Sequence, residues 1–248
     1  MTIFDDLQAE QNRLEHILTG LDAAQWASPS AAGGWTIADV VLHLAQSEEA
    51  VAATAAGALP TPDTPGLTNR PSCLTMDEFA DQAVQAERSA NSPLPRWQAA
   101  RTAALAALRA ADPGQPLRWV EAPLKPATLA TTRLAEHWAH GLDVAGPLGV
   151  AYPDNERLRH IAWLAHRTLP YAMALAGLPA GEVACELTAP DGTDVWRFGP
   201  DGAASVISGP AGAFCRVAAQ RLDPGRSGLH ASDETAQAAM GLLRTYAA

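Results

Sequence analysis

The feature that most constrains this chain is a change of hydrophobic period near residues 149–154. Before it, apolar residues recur at helical spacing; beyond it, short alternating runs enter. In the opening segment Phe4, Leu7, Leu14, Ile17, Leu18 and Leu21 fall on one helical stripe. The run "GGWTIADVVLHLAQSEEA" announces a second helix. Thr36 is placed as its N-cap, Asp39 lies near the positive helix end, and Trp35 can pack on Val40. A loop rich in Pro, Thr and Gly ("LPTPDTPGLTNRPS") comes next, then a short amphipathic piece from Met76 to about residue 90. Further helices are predicted from about Leu94 to Ala111 and over 127–142, the last closed by "GPLG". Four principal helices predict a bundle.

The second part reads differently. A helix from Asn155 to about Ala176 carries Leu158, Ile161, Leu164, Leu169 and Met173, with a kink or break expected at Pro170. Three strand-like runs follow, "VACELT", "VWRF" and "ASVIS", separated by Pro-Asp-Gly turns at 190–192 and 200–202. Val183, Cys185 and Leu187 alternate there with Ala184, Glu186 and Thr188, as a half-buried strand requires. Two more helical runs, "GPAGAFCRVAAQRL" and "DETAQAAMGLLRTYA", close the chain. The expected organisation is a mainly α protein, with a four-helix bundle over 1–150 and a small α+β domain over 151–248.

Charge and composition narrow the function. A net charge of −10 leaves no basic stripe for nucleic acid. The longest weakly polar stretch, "AVAATAAGALP", is too short to span a bilayer, and the acidic start "MTIFDDLQAE" is unlike a signal peptide. Cys73, Cys185 and Cys215 are odd in number and widely spaced, which suggests neither a disulfide framework nor a thiolate zinc site. A cytoplasmic protein acting on a small molecule, with no nucleic-acid or membrane partner, is the expectation. No glycine-rich phosphate cradle occurs, and "GRSGL" at 225–229 lacks the second glycine of a nucleophile elbow.

The chemistry concentrates in "TTRLAEHWAHGLDV", residues 131–144. On one helix, Glu136 and His140 are four apart and stack on one face, whereas Leu134, Trp138 and Leu142 form a different, core-facing stripe. His137 lies about a quarter turn away from Glu136 and is the weaker member. Asp143 is read as a turn residue, or else as a partner that orients a His. A Glu and a His at this spacing can share a divalent cation; imidazole with carboxylate suits zinc, and also nickel, iron or manganese. A bundle site needs a ligand from another helix, and His43 in "VVLHLA" is the candidate. From spacing alone a hydrogen-bonded core His and a solvated Glu/His patch remain open beside the metal site. The run "SEEA" after His43 reads as a solvated helix end, and His16, His160, His166 and His230 as structural or exposed.

"GWTIADVVLHL" followed by "RLAEHWAHGLDVAGPLG" resembles the DinB-like superfamily that includes mycothiol-dependent maleylpyruvate isomerase, closest to an actinobacterial metal-binding branch. "VACELTAPDGTDVWRFGPDGAASVISGPAGAFCRVAAQR" is similar to the C-terminal domain of that branch, a sterol-carrier-protein-like fold. The resemblance implies a His, Glu, His triad for a divalent metal, commonly zinc, which falls here on His43, Glu136 and His140. It implies a catalytic arginine in the C-terminal domain, with Arg221 the match and Arg216 the other choice. It further implies mycothiol as co-substrate and S-transfer or isomerisation of a small electrophilic or carboxylated substrate. Arg133 could then hold a substrate carboxylate, or support Glu136 or Asp143. A homodimer is left open. So are two other activities: a metal-dependent hydrolase, lyase or cyclase that uses no thiol, and a non-catalytic DinB-like binding module.

Overall fold

The computed structural model describes residues 2–57, 75–89, 91–120, 122–179 and 181–245. The chain divides between Tyr152 and Pro153 into two compact units. Cys73, the Pro/Thr/Gly-rich run up to Ser72 and the last three residues of "GLLRTYAA" lie outside the described residues.

The first unit is helical. Helix α1 (Ile3–Leu18) starts on a capping box, with the Thr2 side chain on the backbone of Asp5 and the Asp5 side chain returning to Thr2. A short α2 (Ala23–Ala27) is an element the periodicity does not reveal. Helix α3 (Ile37–Ala55) starts where the sequence predicts, with Thr36 and Asp39 forming its capping box. Helix α4 (Met76–Glu87) packs on α3, and α5 (Leu94–Ala110) and α6 (Pro126–Ala145) complete the set. Helices α1, α3, α5 and α6 form the four-helix bundle: α3 lies on α5 and α6, and α1 lies on α6 and α5. Leu14, Leu18, Ile37, Val40, Val41, Leu44, Trp97 and Val144 form a buried cluster within it. Trp35 and Leu94 pack against that cluster from the side.

One glycine is required by this packing. A Cβ on Gly141, next to His140 in α6, would run into the Tyr152 ring and hydroxyl. That hydroxyl donates to Glu10 Oε1 at 2.7 Å, tying the chain after α6 to α1.

The second unit begins with α7 (Leu158–Leu175), which buries Leu158, Ile161, Leu164, Leu169 and Met173. Of the kink or break expected at Pro170, the break does not occur: the helix runs through it. Burial of Leu169 and Met173 on either side of the proline holds the turn in place, as tertiary packing commonly does for helices. Strands β1 (Val183–Thr188), β2 (Val195–Phe198), β3 (Ser205–Pro210) and β4 (His230–Ala231) form one mixed sheet in the order β2-β1-β3-β4. Strand β1 pairs antiparallel with β2 and parallel with β3, and β3 pairs antiparallel with β4. The predicted alternation is observed, with Val183, Cys185 and Leu187 inward. Helices α8 (Ala211–Ala218) and α9 (Glu234–Gly241) pack on the sheet.

Candidate metal centre

Helices α3 and α6 bring three of the predicted side chains together. One ligand atom from each of His43, Glu136 and His140 lies within 4.8 Å of the others. His43 Nε2 is 3.8 Å and His140 Nε2 3.6 Å from Glu136 Oε2. Both separations exceed hydrogen-bonding distance. Atoms held ~2.0–2.1 Å from one ion at tetrahedral angles lie roughly 3.3 Å apart, so this spacing suits a shared cation. Both imidazoles are buried, whereas the Glu136 side chain is 27% exposed and forms the open side of the group.

The surroundings orient each member. His140 Nδ1 lies 3.0 Å from Asp143 Oδ2, so Nδ1 carries an N–H to that carboxylate and Nε2 faces Glu136. Asp143 is therefore no turn residue. It lies within α6, buried, with its carboxylate on the ligand's far nitrogen and its backbone carbonyl accepting from Ala31 N. That bond anchors the stretch carrying Trp35, whose indole lies 5.2 Å from the His43 ring and stacks at 6.3 Å on His140. Trp35 Nε1 in turn donates to Asp81 Oδ1 on α4.

Electrostatics separate the three groups. Burial pushes the His43 imidazole down in pKa. Burial also opposes charge on Glu136, yet His140, His43 and Arg133 hold its carboxyl well below the usual range. At His140 burial is outweighed by Asp143 and Glu136, which raise it. Glu48, fully buried on α3, is raised by that burial in spite of its Arg133 partner. Two imidazoles and the Glu136 carboxylate face one another, with Asp143 on the far side of His140 and the Arg133 guanidinium paired to Glu48. The nearby Arg101 is already ion-paired with Glu15. A divalent cation suits this set, so donor types and spacing both fit one.

His137 stays outside the group, as its weaker position suggested, whereas other expectations need correction. His137, three residues before His140, is excluded from the group because both its nitrogens are engaged. Nδ1–H donates to Arg133 O at 2.8 Å, and Nε2 accepts from Trp97 Nε1 at 3.2 Å. Burial and the Arg133 charge push it down to about 3. "SEEA" is not a solvated end: α3 continues to Ala55, and Ser47 and Glu48 are buried. Arg133 is 2% exposed and donates from Nε to Glu48 Oε1, so it is closed to a substrate carboxylate. In the second unit Arg216 forms a two-pronged ion pair with Asp154. Arg221 does not end a helix: α8 stops at Ala218, and Arg221 follows Gln220, which takes a left-handed φ of 60°. Arg221 is exposed, and its Nη1 donates to Ala219 O.

The sequence signals for the supporting roles of Asp143 and Trp35 are weak. Asp143 follows His140 by three, a spacing shared by many helical turns, and Trp35 reads first as a packing residue beside the N-cap. Glu48 carried no local sign of burial.

Comparison with known proteins decides the family. The family model described as mycothiol maleylpyruvate isomerase N-terminal domain matches residues 7–145, more than half of the chain. The chain belongs to that family. Two similar relatives are "Uncharacterized protein MT0041" and "Uncharacterized protein Rv0036c" from two strains of Mycobacterium tuberculosis. Each is 37% identical over 98% of this chain and 94% of its own length. Two crystal structures of mycothiol-dependent maleylpyruvate isomerase, one of them a point mutant, share the fold. The mutant superposes with a TM-score of 0.61 at 15% identity, and the other with 0.60 at 16%. Each likeness covers 93% of this chain and 91% of the other. Family membership thus extends over the bundle that holds His43, Glu136 and His140. Among the described residues, no helix is long and apolar enough to cross a membrane.

Proposed function

We propose that this family member is a metal-dependent enzyme that uses a low-molecular-weight thiol, mycothiol, in S-transfer to, or isomerisation of, a small electrophilic or carboxylated substrate. The observation that carries the reading is the convergence of His43, Glu136 and His140 with Glu136 on the open side. These residues would hold one divalent cation, zinc being the best match to two imidazoles and a carboxylate. When bound, the cation supplies Lewis acidity, which favours a thiolate at neutral pH and polarises a carbonyl.

The chain's own groups do the rest. His43 and His140 present Nε2, and Asp143 keeps the His140 proton on Nδ1. The Trp35 indole covers the imidazole rings on one side and limits water there. Cys185 and Cys215 are buried free thiols, the former pushed up to about 12 by burial, so neither serves as nucleophile. Among the described residues no cysteine is placed to react, and the reading takes the thiol from outside, in line with the dependence named for the related isomerase. Free buried thiols also suit a reducing compartment, and the reading includes the cytoplasm. The resemblance that points to a C-terminal arginine makes Arg221 the proposed group for a substrate carboxylate.

Untagged protein, analysed for metal and then titrated with mycothiol by calorimetry, tests the proposal. The expected result is close to one divalent ion per chain and a binding isotherm only with the metal-loaded form. Metal-loaded protein that gives no heat with mycothiol would remove the thiol from the reading.

A further inference from the structure

One helical turn from the triad, on the same two helices, lies a second buried polar layer that the proposed reaction does not use. Glu48 follows His43 by five residues on α3, and Arg133 precedes Glu136 by three on α6. Arg133 Nε donates to Glu48 Oε1 at 2.8 Å, with both side chains buried. Two further atoms of the pair, Glu48 Oε2 and Arg133 Nη2, are buried and have no hydrogen-bond partner. His137 Nδ1 lies 3.7 Å from the same Glu48 oxygen, and through Trp97 the layer reaches α5.

Such a pair is a poor device for stability. Removing two charges from water offsets most of their attraction, and apolar side chains of similar volume generally do as well or better. Leaving an acceptor and a donor open adds to the cost. The best-attested use of a buried polar pair is to fix one register between packed elements. Helices α3 and α6 are the two elements that deliver the triad. A slip of one residue between helices is a shift of about 1.5 Å, whereas metal–ligand distances tolerate only about ±0.2 Å.

We infer that the Glu48–Arg133 pair is a positioning device for the cation site, locking α3 against α6 so that His43 meets Glu136 and His140 at coordination spacing. The inference rests on the cation reading of the triad, which its test separates.

The test replaces the pair by apolar residues of similar volume, Glu48→Leu with Arg133→Met, and compares this protein with the wild type and with Glu48→Gln. Thermal unfolding without metal reads stability; titration with Co2+ reads affinity and, through the visible absorption bands, coordination geometry. The double variant is expected to melt at or above the wild-type temperature. Its Co2+ affinity is expected to fall about 10–100-fold, the range seen when groups supporting metal ligands are lost. Its absorption bands should also change. Glu48→Gln keeps the acceptor and is expected to lose less. A folded double variant with wild-type Co2+ affinity and bands would overturn the inference. If the double variant does not fold, Arg133→Lys takes its place: weakened Co2+ binding supports the inference, and unchanged binding overturns it. Wild-type protein that binds no Co2+ would instead remove the cation reading, and this inference with it.

Discussion

His137 and His140 sit three residues apart on α6, both buried, yet their surroundings give them opposite chemistry. His140 has its Nδ1 proton held by the Asp143 carboxylate and its Nε2 turned to Glu136. His137 has its Nδ1 proton on a backbone carbonyl and its Nε2 occupied by the Trp97 indole N–H. Opposite shifts follow. The anionic partners of His140 raise it, while burial and Arg133 push His137 down. A histidine in a helical core thus becomes a candidate ligand through what its second nitrogen meets, and the residue type alone does not decide.

The strongest way to break this contrast is to remove each ring in turn. His140→Ala is expected to lower Zn2+ affinity by more than the ~100-fold typical of losing a supporting group. His137→Ala should keep the metal stoichiometry but lose stability, because it leaves the Trp97 N–H buried and unpaired. Metal analysis and thermal unfolding of the two proteins check both arms; equal metal loss in the two would erase the distinction. Next in size is Asp143→Asn, which keeps an acceptor for His140 Nδ1 but removes the charge. Its Zn2+ affinity should fall about tenfold with little change in melting temperature.

Trp97→Phe acts on the other histidine. It removes the donor to His137 Nε2 and should cost about 1–3 kcal/mol in urea unfolding, with Zn2+ affinity unchanged. The smallest effect concerns the helix that carries His43. Thr36→Ala removes half of the α3 capping box and should cost about 1 kcal/mol. The other half is pH-dependent. Burial opposes charge on Asp39, but the Thr36 backbone and hydroxyl and the Arg88 guanidinium hold its pKa below 3.8. Its contribution is therefore complete above that value and is lost as pH falls through the lower folded pKa. The melting-temperature gap between wild type and Asp39→Asn should close in acid; a gap constant with pH would show that the Asp39 charge plays no part.

What was legible in the sequence follows the range of the interactions. Helix periodicity, the Thr36 cap and the Glu136/His140 spacing are contacts within one or two turns, so pattern alone yields them. The alternation in Val183–Thr188 is equally local. The resemblance of two motifs supplied the pairing of His43 with Glu136 and His140, which no spacing could give. Contacts between elements stayed hidden. Trp97 reaches His137 across 40 positions, and Arg133 reaches Glu48 across 85. Two adjacent carboxylates such as those of "SEEA" are ordinarily exposed, and the Arg133 partner that accompanies buried Glu48 lies on another helix. At Pro170 the helix continues for a related reason: packing on both sides of it outweighs the lost hydrogen bond.

The central claim is spatial, and anomalous diffraction from crystals of zinc-loaded protein tests it most directly. A single zinc peak bonded to His43 Nε2, His140 Nε2 and a Glu136 oxygen, with His137 still on Trp97, is the predicted result. A peak elsewhere, or one that recruits His137 in place of His140, would contradict it.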